Sequence, residues 1–152
     1  GLRLGGSYTM NNAPINDDPD TTANVALLEL HAKYVAHNIY AIFEYGNINY
    51  DGTNHTPSYK SSGGYYLDLG YNMASILNLK GKLMPWFRFS DYNQGTNDDG
   101  VLPSKHYTIT RFGVTFWPVD KVAFKIDFGT KETEDADIDE ISQLNVGVGY
   151  NF

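Results

Sequence analysis

An all-β fold, an antiparallel up-and-down transmembrane β-barrel of eight strands, is what this sequence predicts, and three observations predict it. Apolar and polar residues alternate with a period of two along almost the whole chain. The connectors between alternating segments read as long and short in turn. The longest unbroken apolar run is only Ile39 to Phe43, far short of the ~20 residues that a membrane-spanning helix needs.

The segments follow in order. Leu2-Arg3-Leu4-Gly5-Gly6-Ser7-Tyr8 opens the series with a weak alternation. Leu28, Leu30, Ala32 and Tyr34 then alternate with Glu29, His31, Lys33 and Val35. Ile39 to Tyr45 is a second weak segment, and Tyr65, Leu67, Leu69, Tyr71 and Met73 alternate with Tyr66, Asp68, Gly70 and Asn72. In the fifth, Leu83, Pro85, Phe87 and Phe89 oppose Lys82, Met84, Trp86 and Arg88. Pro85 lacks a ladder donor there and predicts a bulge or bend. Phe112, Val114 and Phe116 oppose Arg111, Gly113 and Thr115, and Val122, Phe124, Ile126 and Phe128 oppose Ala123, Lys125, Asp127 and Gly129. The last segment is the clearest: Ser142, Leu144, Val146, Val148, Tyr150 and Phe152 against Gln143, Asn145, Gly147, Gly149 and Asn151. Strict alternation of this length is the pattern of a strand with one apolar and one polar face.

Four connectors read as long: Asn11–Thr22, Asp51–Ser62, Asn93–Lys105 and the acidic Glu132–Glu140. Three read as tight: His37-Asn38, the stretch near Ala74–Leu79, and Trp117–Asp120. Such asymmetry suits a barrel with short periplasmic turns and longer outer loops, both termini lying on the short-turn side. Residues 1–152 then form a single transmembrane β-barrel domain, or the C-terminal half of a larger barrel. The chain opens straight into alternation at Gly1 with no initiator Met or signal peptide, which reads as a mature product or as a piece of something longer.

Composition narrows the function classes. The 152 residues are 41% hydrophobic but only 19% charged, below the roughly 25% of an ordinary soluble domain. Twelve Tyr and eight Phe argue against disorder. A net charge of -7 argues against nucleic acid as a partner. The absence of Cys excludes disulfides, thiolate metal sites and Cys nucleophiles.

Alternation alone does not say whether the apolar face meets a soluble core, as in a lipocalin-like barrel or sandwich, or lipid. Three features favour lipid. The polar face carries charges of both signs in mid-strand, aromatics gather toward strand ends as interfacial girdles do, and the chain closes on an alternating strand with Phe152 last.

That closing strand, Leu144-Asn-Val-Gly-Val-Gly-Tyr-Asn-Phe152, resembles the C-terminal strand of Gram-negative outer-membrane β-barrels, whose terminal aromatic is an assembly signal. A narrower resemblance covers about the last 75 residues. Lys82-Leu-Met-Pro-Trp-Phe-Arg-Phe89, the run Thr110 to Phe128 with its Trp-Pro-Val-Asp turn, and the closing strand are similar to the C-terminal region of phosphate-selective-type porins. The resemblance implies the bacterial outer membrane, contact with its lipid and lipopolysaccharide, ~16-stranded barrels, and a homotrimer if the chain is part of such a porin.

The polar face supplies the candidate lumen: Arg3, Glu29, His31, Lys33, Glu44, Asp68, Lys82, Arg88, Arg111, Lys125 and Asp127, with Lys131 as a further cation. Basic residues outnumber acidic ones there, whereas the acidity of the chain sits in the connectors: Asp17, Asp18, Asp20, Asp51, Asp98, Asp99 and Glu132 through Glu140. A basic constriction prefers anions, with Arg111 and Arg88 the candidates for bidentate contact with phosphate-like solutes. In an eight-stranded barrel the interior holds little beyond side chains, and the same groups then simply neutralise one another.

Other chemistries are weaker. Asp135-Ala-Asp137-Ile-Asp139 lacks the Gly turn and distal Glu of a calcium loop and reads as a solvated loop. His31, His37, His55 and His106 show no zinc spacing, and His31 between Glu29 and Lys33 reads as part of a lumen network. Ser61, Ser62, Ser90 and Ser104 form no nucleophile elbow, so a lipid-modifying enzyme is the third-ranked reading. Lipid contact accounts for Met73, Met84 and the outward aromatics, and no cofactor or metal is expected. The expected function is passive diffusion of small hydrophilic solutes, anions among them, through a polar charged lumen, without catalysis. The alternative is a small closed eight-stranded barrel with a structural or adhesion role through its external loops.

Overall fold

The structure, a computed structural model, describes residues 1–15, 18–53, 59–97, 100–102 and 105–151. Alternation becomes strands throughout: β1 (Leu2–Ile15), β2 (Asp18–Ala36), β3 (Ile39–Thr53), β4 (Ser61–Tyr71), β5 (Lys82–Asn97), β6 (Gly100–Val101), β7 (His106–Val119), β8 (Val122–Thr133) and β9 (Ile141–Tyr150). They form one antiparallel sheet in the order β1-β2-β3-β4-β5-β7-β8-β9, with the two-residue β6 paired to the far end of β5. Eight long strands match the eight expected, and β6 is an addition that two residues cannot announce by periodicity. Among the described residues β1 and β9 have no strand on their outer sides, so barrel closure is not seen.

The connectors depart from the strict long–short rule. Asn11 to Pro14 pair with Val25 to Thr22, extending the first hairpin through most of the expected loop. Asn, Thr and Ala there are polar or small on both faces, so the stretch carries no alternation signal while its backbone still pairs. On the opposite rim, the turn expected near Ala74 to Leu79 lies within a ten-residue connector, Asn72 to Gly81. Asn72 organises it, its side-chain oxygen accepting from the Ala74 and Leu83 amides at 3.2 and 3.3 Å. The His37-Asn38 turn is as tight as expected, with φ of 53° and 63°, the left-handed pair that lets a two-residue hairpin follow strand twist.

Pro85 makes no bulge. Register between β5 and β7 runs unbroken from Lys82–Trp117 to Asn93–His106, while the ladder to β4 ends at Gly70–Trp86. The Leu83 amide already turns to Asn72 on the β4 side, so two residues on, Pro85 lacks its donor where that ladder has stopped. The irregularities lie instead at Pro14/Ile15, Ser61/Gly63 and Phe116/Val119.

No layer covers the apolar face. Among the described residues the only buried hydrophobic is Ala74, while Leu2, Leu4, Tyr8, Met10, Phe43, Leu69, Phe112, Phe124, Phe128, Leu144, Val146 and Val148 are exposed. Buried polar residues sit on the other face: Asp68, Thr115 and Asp127. The protein is thus inside out relative to a water-soluble domain.

Candidate functional site

Register decides which side chains share a face. One row of register partners runs Arg3–Lys33–Ile42–Asp68–Arg88–Arg111–Gly129–Gln143 across all the long strands. Glu29, His31, Glu44, Lys82, Lys125 and Asp127 each lie an even number of residues from that row on their own strands. With a period of two they project on its side. All eleven expected lumen residues therefore share one face.

They do not form one cluster. On β4 to β8, Arg88 donates through Nε and Nη2 to the two oxygens of Asp68, each at 2.5 Å. Arg111 pairs directly with Arg88 across the β5–β7 ladder, a juxtaposition of like charges that is unfavourable unless neutralised. Asp127 does so from β8: Arg111 Nε lies 3.4 Å and Lys125 Nζ 3.2 Å from its carboxylate, and Asn145 donates to it at 2.9 Å. Arg111 also donates to Gln143 at 3.0 Å. Two arginines thus stand side by side with a carboxylate beyond each.

The depths of these charges differ. Asp68 and Asp127 are 8% and 3% exposed. The side chains of Arg88, Arg111 and Lys125 are 43%, 25% and 47% exposed. The acids are the buried members and the cations the exposed ones, so the face presents positive charge outward although the group is nearly balanced.

A second cluster on β1 to β3 is looser. His31 Nδ1 and Glu29 Oε1 are 2.5 Å apart, and Ser7 donates to Glu29 at 3.4 Å. Tyr66 reaches over from β4 to donate to Glu44 at 2.8 Å. Lys82, although on the same face, sits at the rim and pairs at 3.5 Å with Asp120, both exposed; such a pair contributes little.

Aromatic residues that the charge pattern passes over complete the face. Arg88 lies 4.9 Å from the Tyr66 ring centre, Lys125 4.5 Å from Trp86, Lys131 3.8 Å from Tyr107 and Lys33 5.9 Å from Tyr40. Trp86 Nε1 donates to Thr115 at 3.1 Å. A recess of about 400 Å³ is bounded by Arg88, Arg111, Lys125, Trp86, Trp117 and Tyr40. Met84 also lines it, which corrects its assignment to lipid contact: Lys82, Met84, Trp86 and Arg88 share one parity. That same parity could have placed Tyr40, Tyr66 and Trp117 at the site.

The other candidate residues are engaged locally. Ser61 pairs with Thr96 through hydroxyls 2.5 Å apart, and Ser62 donates to the Asn93 carbonyl at 3.0 Å. His37 meets Tyr34 at 2.8 Å, and His106 bridges Asp91 and Glu134 at 3.0 and 2.7 Å. His55, Asp17, Asp98, Asp99, Ser104 and Phe152 lie outside the described residues. No group of three or more His, Asp or Glu among the described residues is arranged to hold a metal ion.

The chain matches no protein-family model, no curated protein and no solved structure.

Proposed function

We propose that this chain is the wall of an outer-membrane porin-like channel, admitting small hydrophilic solutes by passive diffusion past the polar face. One observation carries the reading: a sheet with no apolar core among the described residues exposes an apolar face from Leu2 on β1 to Tyr150 on β9, while the eleven lumen candidates project from the other side. In water such a face would be a large unsatisfied apolar surface. In a bilayer it is the lipid-facing side of a barrel. From Leu2 to Met10 the outward residues of β1 cover about 27 Å of strand, or about 19–22 Å along the membrane normal at the 35–45° tilt of such barrels, most of their ~25 Å apolar band. Tyr8, Tyr45, Tyr65 and Phe89 lie toward one edge of that band, and Tyr34, Tyr71, Phe116 and Tyr150 toward the other, as interfacial anchors would.

The strand edges must be paired before such a sheet is stable in lipid. Pairing β1 with β9 closes a small barrel, the structural or adhesion alternative, and the antiparallel sense of these two strands favours it. Pairing each edge with further strands gives the wider pore and, by the porin resemblance, a trimeric assembly embedded among lipid and lipopolysaccharide. A catalytic role has no support of its own.

Single-channel recording in a planar bilayer tests the proposal. Discrete conductance steps, with a reversal potential under a salt gradient that favours anions, are the expected result. Folded, bilayer-inserted protein without steps would replace the channel by the filled small barrel, and folded protein stable in water without detergent would remove the membrane reading.

A further inference from the structure

We propose that the recess between Arg111 and Trp117 is a binding site for small aromatic carboxylates. The inference rests on the reading of the polar face as solute-accessible, and it concerns which solute that face retains.

Charge comes first. Arg88, Arg111 and Lys125 line the recess together with the largely buried Asp68, and Asp127 lies buried against Arg111 and Lys125. Three cations against two acids leave one net positive charge, presented outward. A monoanion matches that excess. A dianion would have to compete with Asp68 for Arg88, whose Nε and Nη2 are already committed at 2.5 Å. The more adaptable partners are Lys125, shared between Asp127 and the Trp86 ring, and Arg111, whose Nη2 is held by the neutral Gln143.

The walls then select the body of the solute. Trp86, Trp117, Tyr40 and Met84 make the rest of the recess largely apolar. Trp86 is fixed by its bond to Thr115 and lies directly across from Gly113, where the absent side chain leaves room for the indole. Inorganic phosphate would leave these walls without a partner. A flat ring bearing a carboxylate places its charge among the cations and its apolar faces against aromatic and thioether surface. At about 400 Å³ the recess has the size of a small-molecule pocket.

The site carries its own reporter. The chain has two tryptophans, Trp86 and Trp117, and both line this recess. Emission of the detergent-folded chain, titrated in parallel with benzoate, acetate and inorganic phosphate, therefore reads occupancy directly. Benzoate is expected to change the emission saturably at a concentration at least about 10-fold below either other anion. Arg111→Gln is expected to weaken benzoate by about 10-fold. Trp86→Leu, read by the remaining Trp117, is expected to weaken benzoate and leave acetate unchanged. Phosphate binding as tightly as benzoate would overturn the proposal in favour of a simple anion site, and emission insensitive to all three would overturn it outright. The comparison of anions on the unmodified chain decides this even if a variant fails to fold. Because occupancy is read without ion flow, loss of the channel reading and loss of this site are separate results.

Discussion

The strands β4 to β8 and the two flanking strands β1 and β9 are made from the same alternating pattern, yet they solve opposite problems. In the middle of the sheet, long side chains on the polar face cover one another: Arg88 closes over Asp68, and Arg111 and Lys125 over Asp127. Every residue of β9 is exposed on both faces. The difference is one of edge position and, on β9, of side-chain length: among the described residues each flanking strand has a neighbour on one side only. The polar face of β9 offers Gln143, Asn145, Gly147 and Gly149, and a methyl group placed on Gly147 would meet nothing within 4 Å. A β-sheet face buries its own charges where long residues close over them; small residues at an edge leave that work to a partner strand.

The largest effect should come from a charge on the apolar side of the flank, which the proposed function turns toward lipid. Val146 is 75% exposed, so in water Val146→Arg would be nearly neutral. Facing lipid near mid-membrane, it is expected to cost about 2–4 kcal/mol, measured by denaturant unfolding from vesicles. A neutral result would break the comparison, making β9 a water-exposed edge. Next come two glycines of one face. Gly113→Ala would drive its methyl into the Trp86 ring and toward Asp127, costing about 1–3 kcal/mol. Gly147→Ala, with open space around it, should change stability by less than about 0.5 kcal/mol. Equal costs in the same unfolding assay would mean that the flank is as tightly packed as the centre.

The smallest effect concerns the outer end of β7, where Thr110 and Thr108 separate His106 from the apolar band. The hydrogen bond that the His106 ring donates to Asp91 raises the His106 pKa above the usual histidine value, partial burial opposes this, and Glu134 adds to it. A raised folded-state value gives stabilisation that is complete below the unfolded value of about 6.5 and is lost as pH rises through the folded one. Protection of residues 134–140 against hydrogen exchange, taken relative to the intrinsic base-catalysed rate at each pH, should therefore fall from about pH 6 to pH 8, and His106→Gln should flatten the dependence. An unchanged slope in that variant would assign the effect to other groups.

Much of this was legible from residue order. A period of two has only two phases, so the facing of all eleven charged or polar candidates followed once the strands were placed, and the register confirms that they share one side. Two things were not legible, and a third was legible but passed over. Asn11 to Pro14 and their partners are strand without alternation, because beyond an apolar band neither face needs to be hydrophobic. The depth of Asp68 and Asp127 beneath their cations depends on cross-strand register, which alternation does not set. Tyr66 and Trp86 were visible on the polar face, but a search for charge alone passed over the rings on which the cations rest.

The order of strands in the sheet follows their order in the chain, apart from the short β6, and this bears on how the protein assembles. Each long pairing joins strands separated by a modest connector, and lengthening such a loop twofold adds only about 0.6 kcal/mol of closure entropy. Contacts close in sequence favour rapid folding. The sheet can therefore grow one hairpin at a time from any starting pair. The outer edges of β1 and β9 have no such local route to a partner among the described residues, so any pairing of those edges, with each other or with further strands, would be the last bond row to form.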